Sequence, residues 1–392
     1  MPTPRTLTIL TAVALALAST LGSGPAAAAG PDDHRAAARD PQGALGANFN
    51  ERLALLNFDE LELGRTQWVR GFYAMPWADE RPPADDPGIR NLLAARDRGY
   101  GTVLSLKFPF GDRAFPRPGS PEMATEKARV AKLLDTMMGR VDIMIIGNEP
   151  FIESRPEDRN ETLNEFYEEI ARQVITYRRD RCGTDCPTQL YYGALNNLQK
   201  PEQQTPTTDR WVRFAASQPD LLGVDIHPHI PRIEDSRPFV DYVLARLRPD
   251  QRFLATEFSL VHHWKAHLAD EAPADFLQRH GFPAGLKVWQ VIGLAIEDPF
   301  PQEVWNDFLA SSPWYETRKN YVCNQLAIFR ETGRFALGTY GYKQGPEMAE
   351  NWGPDKAPWL LNSVFAPETV RPWADGSTGR GYAWIDNFHR CG

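Results

Sequence analysis

The sequence lacks the two features that would direct it to a membrane or to nucleic acid. Beyond residue 21 it contains no apolar stretch long enough to span a bilayer. It also lacks an excess of positive charge, because 51 Asp and Glu outnumber 43 Lys and Arg and give a formal net charge of −8. An acidic chain is repelled by phosphate backbones and by anionic lipids, so we expect neither nucleic acid nor membrane as a partner.

The N-terminal residues predict export. Arg5 provides a positive start, an apolar core runs from Leu7 to Leu21, and Ala27–Ala29 offers a small-residue cleavage site, so residues 1–29 predict a signal peptide. An uncleaved anchor is the alternative interpretation. Residues 30–43 are rich in Ala, Asp and Arg and predict a disordered linker. We therefore expect a secreted protein. Separately, we expect it to be a monomer.

Cysteine is also scarce, with four residues that allow three pairings. We favour Cys182–Cys186, which closes a small local loop, and Cys323–Cys391, which ties the C-terminal tail to the main body. A zinc site is the rival interpretation, but no His lies at ligand spacing beside these cysteines. Exported chains usually oxidise such pairs, which favours two disulfides.

Short apolar runs alternate with helical patterns along the rest of the chain. Eight runs predict β-strands, at 44–49, 67–73, 101–108, 141–147, 189–195, 222–226, 252–256 and 335–340. Helical patterns lie between them, at 86–98, 121–138, 161–179, 210–217, 239–247 and 317–330. The alternation predicts an α/β fold, a single (β/α)8 TIM barrel over residues 44–345.

Two segments depart from this repeat. Residues 259–316 form a long insertion between the seventh strand and the following helix, and we expect one helix within it, at 286–296. A loop of this length over a barrel mouth is usually a lid or a substrate wall. Residues 346–392 contain scattered Pro, Gly and Trp and predict an irregular C-terminal extension packed on the barrel.

Two glutamates each follow a predicted buried strand. Glu149 lies in Gly147-Asn148-Glu149-Pro150 after the fourth strand, and Glu257 follows the seventh. Because the carboxyl ends of barrel strands meet at one face, these side chains should face each other across the mouth. Such a pair suits glycosidic bond cleavage, with one carboxyl group protonated and the other ionised. A helix-terminus role for Glu149 and a structural ion pair for Glu257 are the alternatives.

These motifs resemble those of the clan A glycoside hydrolases, the retaining (β/α)8 glycosidases with an Asn-Glu-Pro motif after strand four and a Glu after strand seven. The resemblance implies Glu149 as general acid/base, Glu257 as nucleophile and Asn148 as a ligand of the sugar 2-hydroxyl. It also implies that Arg70 on the second strand orients the nucleophile. The substrate would be a carbohydrate, and neither a cofactor nor a metal would be needed.

Further candidate substrate ligands lie at other strand ends. His227 and His229 end the sixth strand, where clan members often carry a His and then a Tyr. Tyr340 ends the eighth strand, where many members carry a Trp that floors the sugar subsite. The remaining candidates are Lys107 and Asn196 as polar sugar ligands, and Trp77 and Trp264 as stacking platforms, with core packing an open alternative for both Trp.

Two other functions stay open. His227, His229, His262 and His263 could serve a metal-dependent hydrolase on the same barrel, although a catalytic zinc site needs three well-placed ligands and no motif specifies them. A glycan-binding barrel without turnover is the second. Loss of activity with a chelator would favour the first, and binding without release of reducing ends would favour the second.

Overall fold

A computed structural model describes Met1 and residues 39–392, of which 39–392 belong to one compact unit. The predicted signal peptide and residues 30–38 of the predicted linker lie outside the described residues. Residues 39–43 of that linker run against the barrel, where Asp40 accepts a 2.6 Å hydrogen bond from Arg252. No described helix combines the length and apolar character that crossing a bilayer would require.

Eight parallel strands close into a barrel, which confirms the predicted (β/α)8 fold. Strands adjacent in sequence are adjacent in space, and the last strand closes on the first from Ala44 opposite Leu337 to Asn48 opposite Gly341. The strands are Ala44–Asn48 (β1), Trp68–Ala74 (β2), Gly101–Lys107 (β3), Ile143–Ile146 (β4), Gln189–Asn196 (β5), Leu221–His227 (β6), Arg252–Ala255 (β7) and Phe335–Gly341 (β8).

Helices surround the barrel, and their starts follow local sequence signals. Asp86 accepts hydrogen bonds from the amides of Gly88 and Ile89, and Ser120 accepts one from Met123, so each caps the helix that follows. The helices are Phe58–Leu63 (α1), Trp77–Glu80 (α2), Pro87–Asp97 (α3), Pro121–Met137 (α4), Glu161–Tyr177 (α5), Pro206–Ser217 (α6), Ser236–Leu244 (α7), Val261–Ala266 (α8), Ala274–Arg279 (α9), Val288–Glu297 (α10), Gln302–Ser311 (α11), Pro313–Glu316 (α12), Tyr321–Arg330 (α13) and Trp384–Cys391 (α14).

Two separate apolar clusters divide the core. The larger one joins the outer faces of the strands to the helices and includes Val69 and Leu104. The smaller cluster lies inside the barrel, because its members alternate with those of the larger one along β2, β3, β4, β5 and β7. Its members are Trp68, Val103, Ile143, Ile145, Tyr191, Leu254, Ala336 and Leu337. Nearer the carboxyl ends of the strands, the inward side chains are polar, as at Arg70 and Ser105. These buried polar side chains lie next to the smaller apolar cluster, and we call them the polar floor of the barrel mouth.

The insertion and the tail are more regular than the sequence predicted. The insertion holds α8 to α12, and the helix expected at 286–296 is present as α10. The C-terminal extension was expected to be irregular throughout, but it ends in α14, whose Trp384, Ile385 and Phe388 are buried on one face. Eight residues are too few for a clear helical period, which is why the pattern is missed.

Both predicted disulfides are present. Cys182–Cys186 closes the short loop before β5, with Cα atoms 5.1 Å apart. Cys323–Cys391 joins α13 to α14, with Cα atoms 5.5 Å apart. The second bond ties the C-terminal extension to a helix of the barrel, as the sequence predicted, and the described cysteines are all paired rather than available to zinc.

Candidate active site

Glu149 and Glu257 meet at the carboxyl end of the barrel. Glu149 follows β4 and Glu257 follows β7, and a carboxylate oxygen of each lies within 4.8 Å of the other. Their side chains are 19% and 13% exposed, so each is largely enclosed but reachable from the mouth. The two carboxyl groups are therefore near enough to act on the same bond of one substrate.

The backbone that presents Glu149 is constrained. Gly147 has φ +106°, and a side chain there would place its Cβ 2.3 Å from the carbonyl oxygen of Gly193, so only glycine fits. Glu149 itself has φ +42°, an unfavourable region for a residue with a side chain. Such positions cost about 1–3 kcal/mol and persist where the surroundings fix them, commonly at functional sites.

Arg70 holds Glu257. The guanidinium is fully buried inside the barrel, and its Nη1 donates to Glu257 Oε1 at 2.6 Å. Burial raises the pKa of Glu257, but the charges of His227 and Arg70 outweigh burial and hold that pKa well below its usual range. Arg70 also donates to Ser105 and, at 2.6 Å, to Asn148. The arginine therefore fixes an ionised Glu257 in one orientation.

Asn148 connects this arginine to a third carboxylate that the sequence analysis did not find. Its Oδ1 accepts from Arg70, and its Nδ2 donates to Glu153 Oε1 at 2.9 Å. Lys107 lies 2.8 Å from the same oxygen of Glu153. Burial raises the pKa of Glu153 to about 7, although Lys107 lowers it and the charge of Glu149 raises it further. Only its position, one turn beyond the Asn-Glu-Pro motif, could have indicated Glu153.

Glu149 is held by Asn196 and His227. Its Oε1 accepts a 2.7 Å hydrogen bond from Asn196 Nδ2 at the end of β5 and lies 3.1 Å from His227 Nδ1. Burial raises the pKa of Glu149, while the hydrogen bond and charge of His227 and the charge of His229 lower it, and the net pKa is below its usual value. Asn196 and His227, which were predicted as substrate ligands, therefore both contact the Glu149 carboxylate.

His229 and Trp359 form one wall beside the two carboxylates. His229 Nε2 lies 3.7 Å from oxygens of both Glu149 and Glu257, and its Nδ1 contacts Ser259 Oγ at 2.8 Å. The Trp359 ring packs edge-on against His229 with 5.0 Å between centroids, and Trp359 is partly exposed. No sequence pattern indicates Trp359, because nothing in the tail shows that the C-terminal extension reaches the mouth.

Two predicted sugar ligands are wrong as substrate contacts. Trp264 is fully buried, its ring stacks on Tyr315 at 4.9 Å, and its Nε1 donates to Asn362. Tyr340 is fully buried as well, because it follows the inward position Thr339 on β8 and so points outward into the helix layer. Both serve the core. Trp77 is half-buried at the start of α2, with its ring edge-on to Tyr73 at 5.4 Å.

The donor chemistry favours an acid/base site over a metal site. Glu149, His227, His229 and Glu257 each offer an atom within 4.8 Å of the others, so distance alone would allow a cation. However, Arg70 already neutralises Glu257, and His227 has both ring nitrogens engaged with polar neighbours. The other two histidines of the metal hypothesis do not join this group among the described residues, and His263 Nε2 instead contacts the Trp314 carbonyl at 3.0 Å.

Comparison with known proteins yields structural likeness only. No protein-family model matches the chain, and no curated protein matches it. Among solved structures, the chain is similar to the exo-β-1,4-mannosidase Op5Man5 from Opitutaceae bacterium strain TAV5, with TM-score 0.49 and 16% identity over 91% of this chain and 61% of that one. Xylanase B from Clostridium stercorarium F9 gives TM-score 0.47 and 12% identity, over 87% of this chain and 95% of that one. A GH5 cellulase from an Icelandic hot spring isolate gives 0.47 and 10%, over 87% and 86%. Identities this low carry no information on chemistry, so function rests on the side chains described above.

Proposed function

We propose that this protein is a secreted, retaining glycoside hydrolase of the clan A type, with Glu257 as nucleophile and Glu149 as general acid/base. The observation that carries the proposal is the convergence of these two glutamates, from β4 and β7, in unequal surroundings at the barrel mouth. Because both glutamates and Arg70 belong to one chain, the site needs no residue from a second copy, and we expect a monomer.

The unequal surroundings assign the two roles. Glu257 receives a guanidinium hydrogen bond at 2.6 Å, which stabilises the carboxylate that a nucleophile must be. Glu149 has Oε1 occupied by Asn196 and His227, so its Oε2 is the oxygen left to hold and release a proton. Two carboxyl groups in different environments can be ionised and protonated at the same pH.

The reaction would proceed by double displacement. Glu257 attacks the anomeric carbon while the bond to the leaving oxygen breaks, and Glu149 passes its proton to that oxygen. The product of this step is a glycosyl ester on Glu257. Glu149, now a carboxylate, removes a proton from a water molecule that attacks the same carbon, which breaks the ester and returns both glutamates to their starting states.

Substrate binding would use the polar floor and the mouth. Asn148 keeps one of its two amide hydrogens free after the bond to Glu153, and that hydrogen would donate to the sugar 2-hydroxyl. Trp359 would offer an apolar face to a sugar ring beside His229. Lys107, with 27% of its side chain exposed, would donate to a further hydroxyl. A carbohydrate is therefore the substrate class we propose.

Secretion is part of the proposal. Two disulfides join all four described cysteines, and such bonds persist in oxidising compartments rather than in the cytosol. The predicted signal peptide over residues 1–29 supports the same location. Detection of the processed chain in culture medium, with its new N-terminus at Gly30, would test it.

A glycan screen tests the catalytic proposal. The wild type should release reducing ends from some member of a panel that includes cellulose, mannan and xylan oligosaccharides, whereas Glu149→Gln and Glu257→Gln should lose at least about 10³-fold in kcat. Azide should restore turnover of an activated aryl glycoside by Glu257→Ala, because the small anion replaces the lost nucleophile. Glu126→Gln is the matched control, since Glu126 is buried and paired with Arg113 and Arg129 but lies on α4.

The same screen separates the alternatives. Binding of a glycan without any release of reducing ends would indicate a glycan-binding barrel and contradict the proposal. Activity that disappears on dialysis against a chelator and returns with a divalent metal would contradict it in favour of metal-assisted hydrolysis. Azide rescue of Glu149→Ala instead of Glu257→Ala would reverse the two roles.

A further inference from the structure

A buried aspartate that the proposed reaction does not use lies behind the acid/base residue. Asp225 is on β6 and is fully buried. Its Oδ1 accepts from the Thr256 amide at 3.0 Å, and its Oδ2 accepts from the Thr256 hydroxyl. The nearest basic group is His227, two residues along the same strand and facing the same way, with Nε2 3.4 Å from Asp225 Oδ2. A buried carboxylate requires a compensating charge, which points to this imidazole.

The hydrogen-bond partners of His227 fix the protonation state of its ring. The Thr256 hydroxyl gives its hydrogen to Asp225, so its oxygen can only accept from His227 Nε2, which lies 3.0 Å away. On the other side of the ring, Nδ1 lies 3.1 Å from Glu149 Oε1, an oxygen that already accepts from Asn196. Both ring nitrogens therefore face acceptors, and both must carry hydrogen.

The remaining charges around His227 agree with a cationic ring. Glu149 approaches from β4, Glu257 Oε1 lies 3.7 Å from Nδ1 on the β7 side, and Asp225 lies behind it on β6. Arg70 from β2 neutralises Glu257, and His229 lies beside both glutamates. Burial lowers the pKa of His227, but the charges of Glu257 and Asp225 outweigh burial and raise it to about 10.

We infer that Asp225 is a positioning residue that keeps His227 as a buried imidazolium, and that this imidazolium reserves Glu149 Oε2 for the catalytic proton. The imidazolium and Asn196 both donate to Oε1, so a proton on Glu149 can sit only on Oε2, which they leave free. The second half of the inference rests on the proposed glycosidase function. The first half concerns the protonation of His227 alone and stands without it.

A cationic His227 affects the pH range in which the enzyme is active. A cation that donates to Glu149 stabilises its carboxylate and lowers its pKa, so the protonated acid persists only at acidic pH. The alkaline limb of the kcat/KM profile should therefore begin below pH 7. Removing the charge on His227 should raise the pKa of Glu149 and move this limb upward by about 1 pH unit or more.

Asp225→Asn is the variant that removes this charge with little change in shape. Its amide would donate to the Thr256 hydroxyl, which would then donate to His227 Nε2 and make the ring neutral, with Nδ1–H still directed at Glu149. Nitrogen-15 spectra of histidine-labelled protein report the protonation directly, and the His227 signals are identified by their absence from His227→Asn. We expect both nitrogens of His227 to stay protonated through pH 8 in the wild type, and Nε2 to lose its hydrogen in Asp225→Asn.

Asp142→Asn is the matched control. Asp142 precedes β4 and clamps Thr102 on the adjacent strand through the amide and the hydroxyl, each at 2.8 Å, as Asp225 clamps Thr256. It lies at the other end of the barrel, so this variant should leave both the His227 spectrum and the pH profile unchanged.

Three results would overturn the inference. They are a wild-type His227 that titrates near pH 6.5, an Asp225→Asn spectrum that matches the wild type, and a kcat/KM limb that does not move although the imidazolium is lost. Because the wild-type titration needs only His227→Asn for assignment, it is decisive even if Asp225→Asn does not fold. Loss of the imidazolium in Asp225→Asn from a protein that cleaves no glycoside would support the role of Asp225 and contradict the proposed function instead.

Discussion

Replacing Arg70 by methionine tests the ion pair on which the role of Glu257 depends. Arg70 is fully buried and donates to Glu257 and to Asn148, each at 2.6 Å. Methionine keeps most of the side-chain volume and removes every donor. The carboxylate of Glu257 would then be left in a largely enclosed site without its guanidinium partner.

The magnitude follows from burial. Removing one partner of a buried ion pair costs about 3–5 kcal/mol, because the other charge is left uncompensated. Glu257 would respond by binding a proton, so its pKa would rise from well below its usual range. A protonated carboxyl group does not attack the sugar, and a loss of about 3–4 kcal/mol of transition-state stabilisation would lower kcat/KM by about 10²–10³-fold.

Urea unfolding and steady-state kinetics measure the two effects. The double variant Arg70→Met/Glu257→Gln should regain much of the stability lost in Arg70→Met, since glutamine leaves no buried charge, and it should stay inactive. The pair Arg129→Met/Glu126→Gln on α4 is the control. Its two substitutions should have non-additive effects on the free energy of unfolding, and neither should lower the activity. If the effects of Arg70→Met and Glu257→Gln on stability add within about 0.5 kcal/mol, the two residues do not interact and the reasoning is wrong.

The remaining predictions concern groups around the site and the tail. Glu153→Gln should remove a bend near pH 7 from the kcat/KM profile, because burial raises the pKa of Glu153 to about 7, and an unchanged profile would contradict this. Trp359→Ala should raise KM about 10-fold through lost stacking on the sugar, with little change in the free energy of unfolding. Replacing Cys323 and Cys391 by serine should lower the free energy of unfolding in urea by about 4 kcal/mol, because the bond closes a loop with a sequence separation of 68.

The barrel could be predicted because its strands carry a strong local signal. The run from Ile143 to Ile146 is buried on both faces, so its apolar character is continuous and bounded by Gly147 and Pro150. Once the strands are ordered, topology places their carboxyl ends together, and Glu149 and Glu257 become neighbours although many residues separate them. This part of the candidate site needed no knowledge of side-chain packing.

The rest of the site depends on side-chain direction and on distant segments. Its position at the end of a strand predicts Tyr340 at the mouth, yet strand alternation turns it outward while Thr339 faces inward. Asp225 was missed although it shares the inward face with His227, two positions away, so the same alternation could have found it. Trp359 reaches His229 only because the tail folds back over the barrel, and no local pattern encodes that path.

The most direct test of the central claim is to identify the residue that a trapped glycosyl group occupies. A 2-deoxy-2-fluoro glycoside with an activated leaving group should form an ester that hydrolyses slowly, and mass spectrometry of the digested protein should find the added sugar on Glu257. Glu126→Gln should label like the wild type. A sugar on Glu149, a sugar on any other residue, or turnover of the reagent with inversion and no covalent adduct would contradict the account.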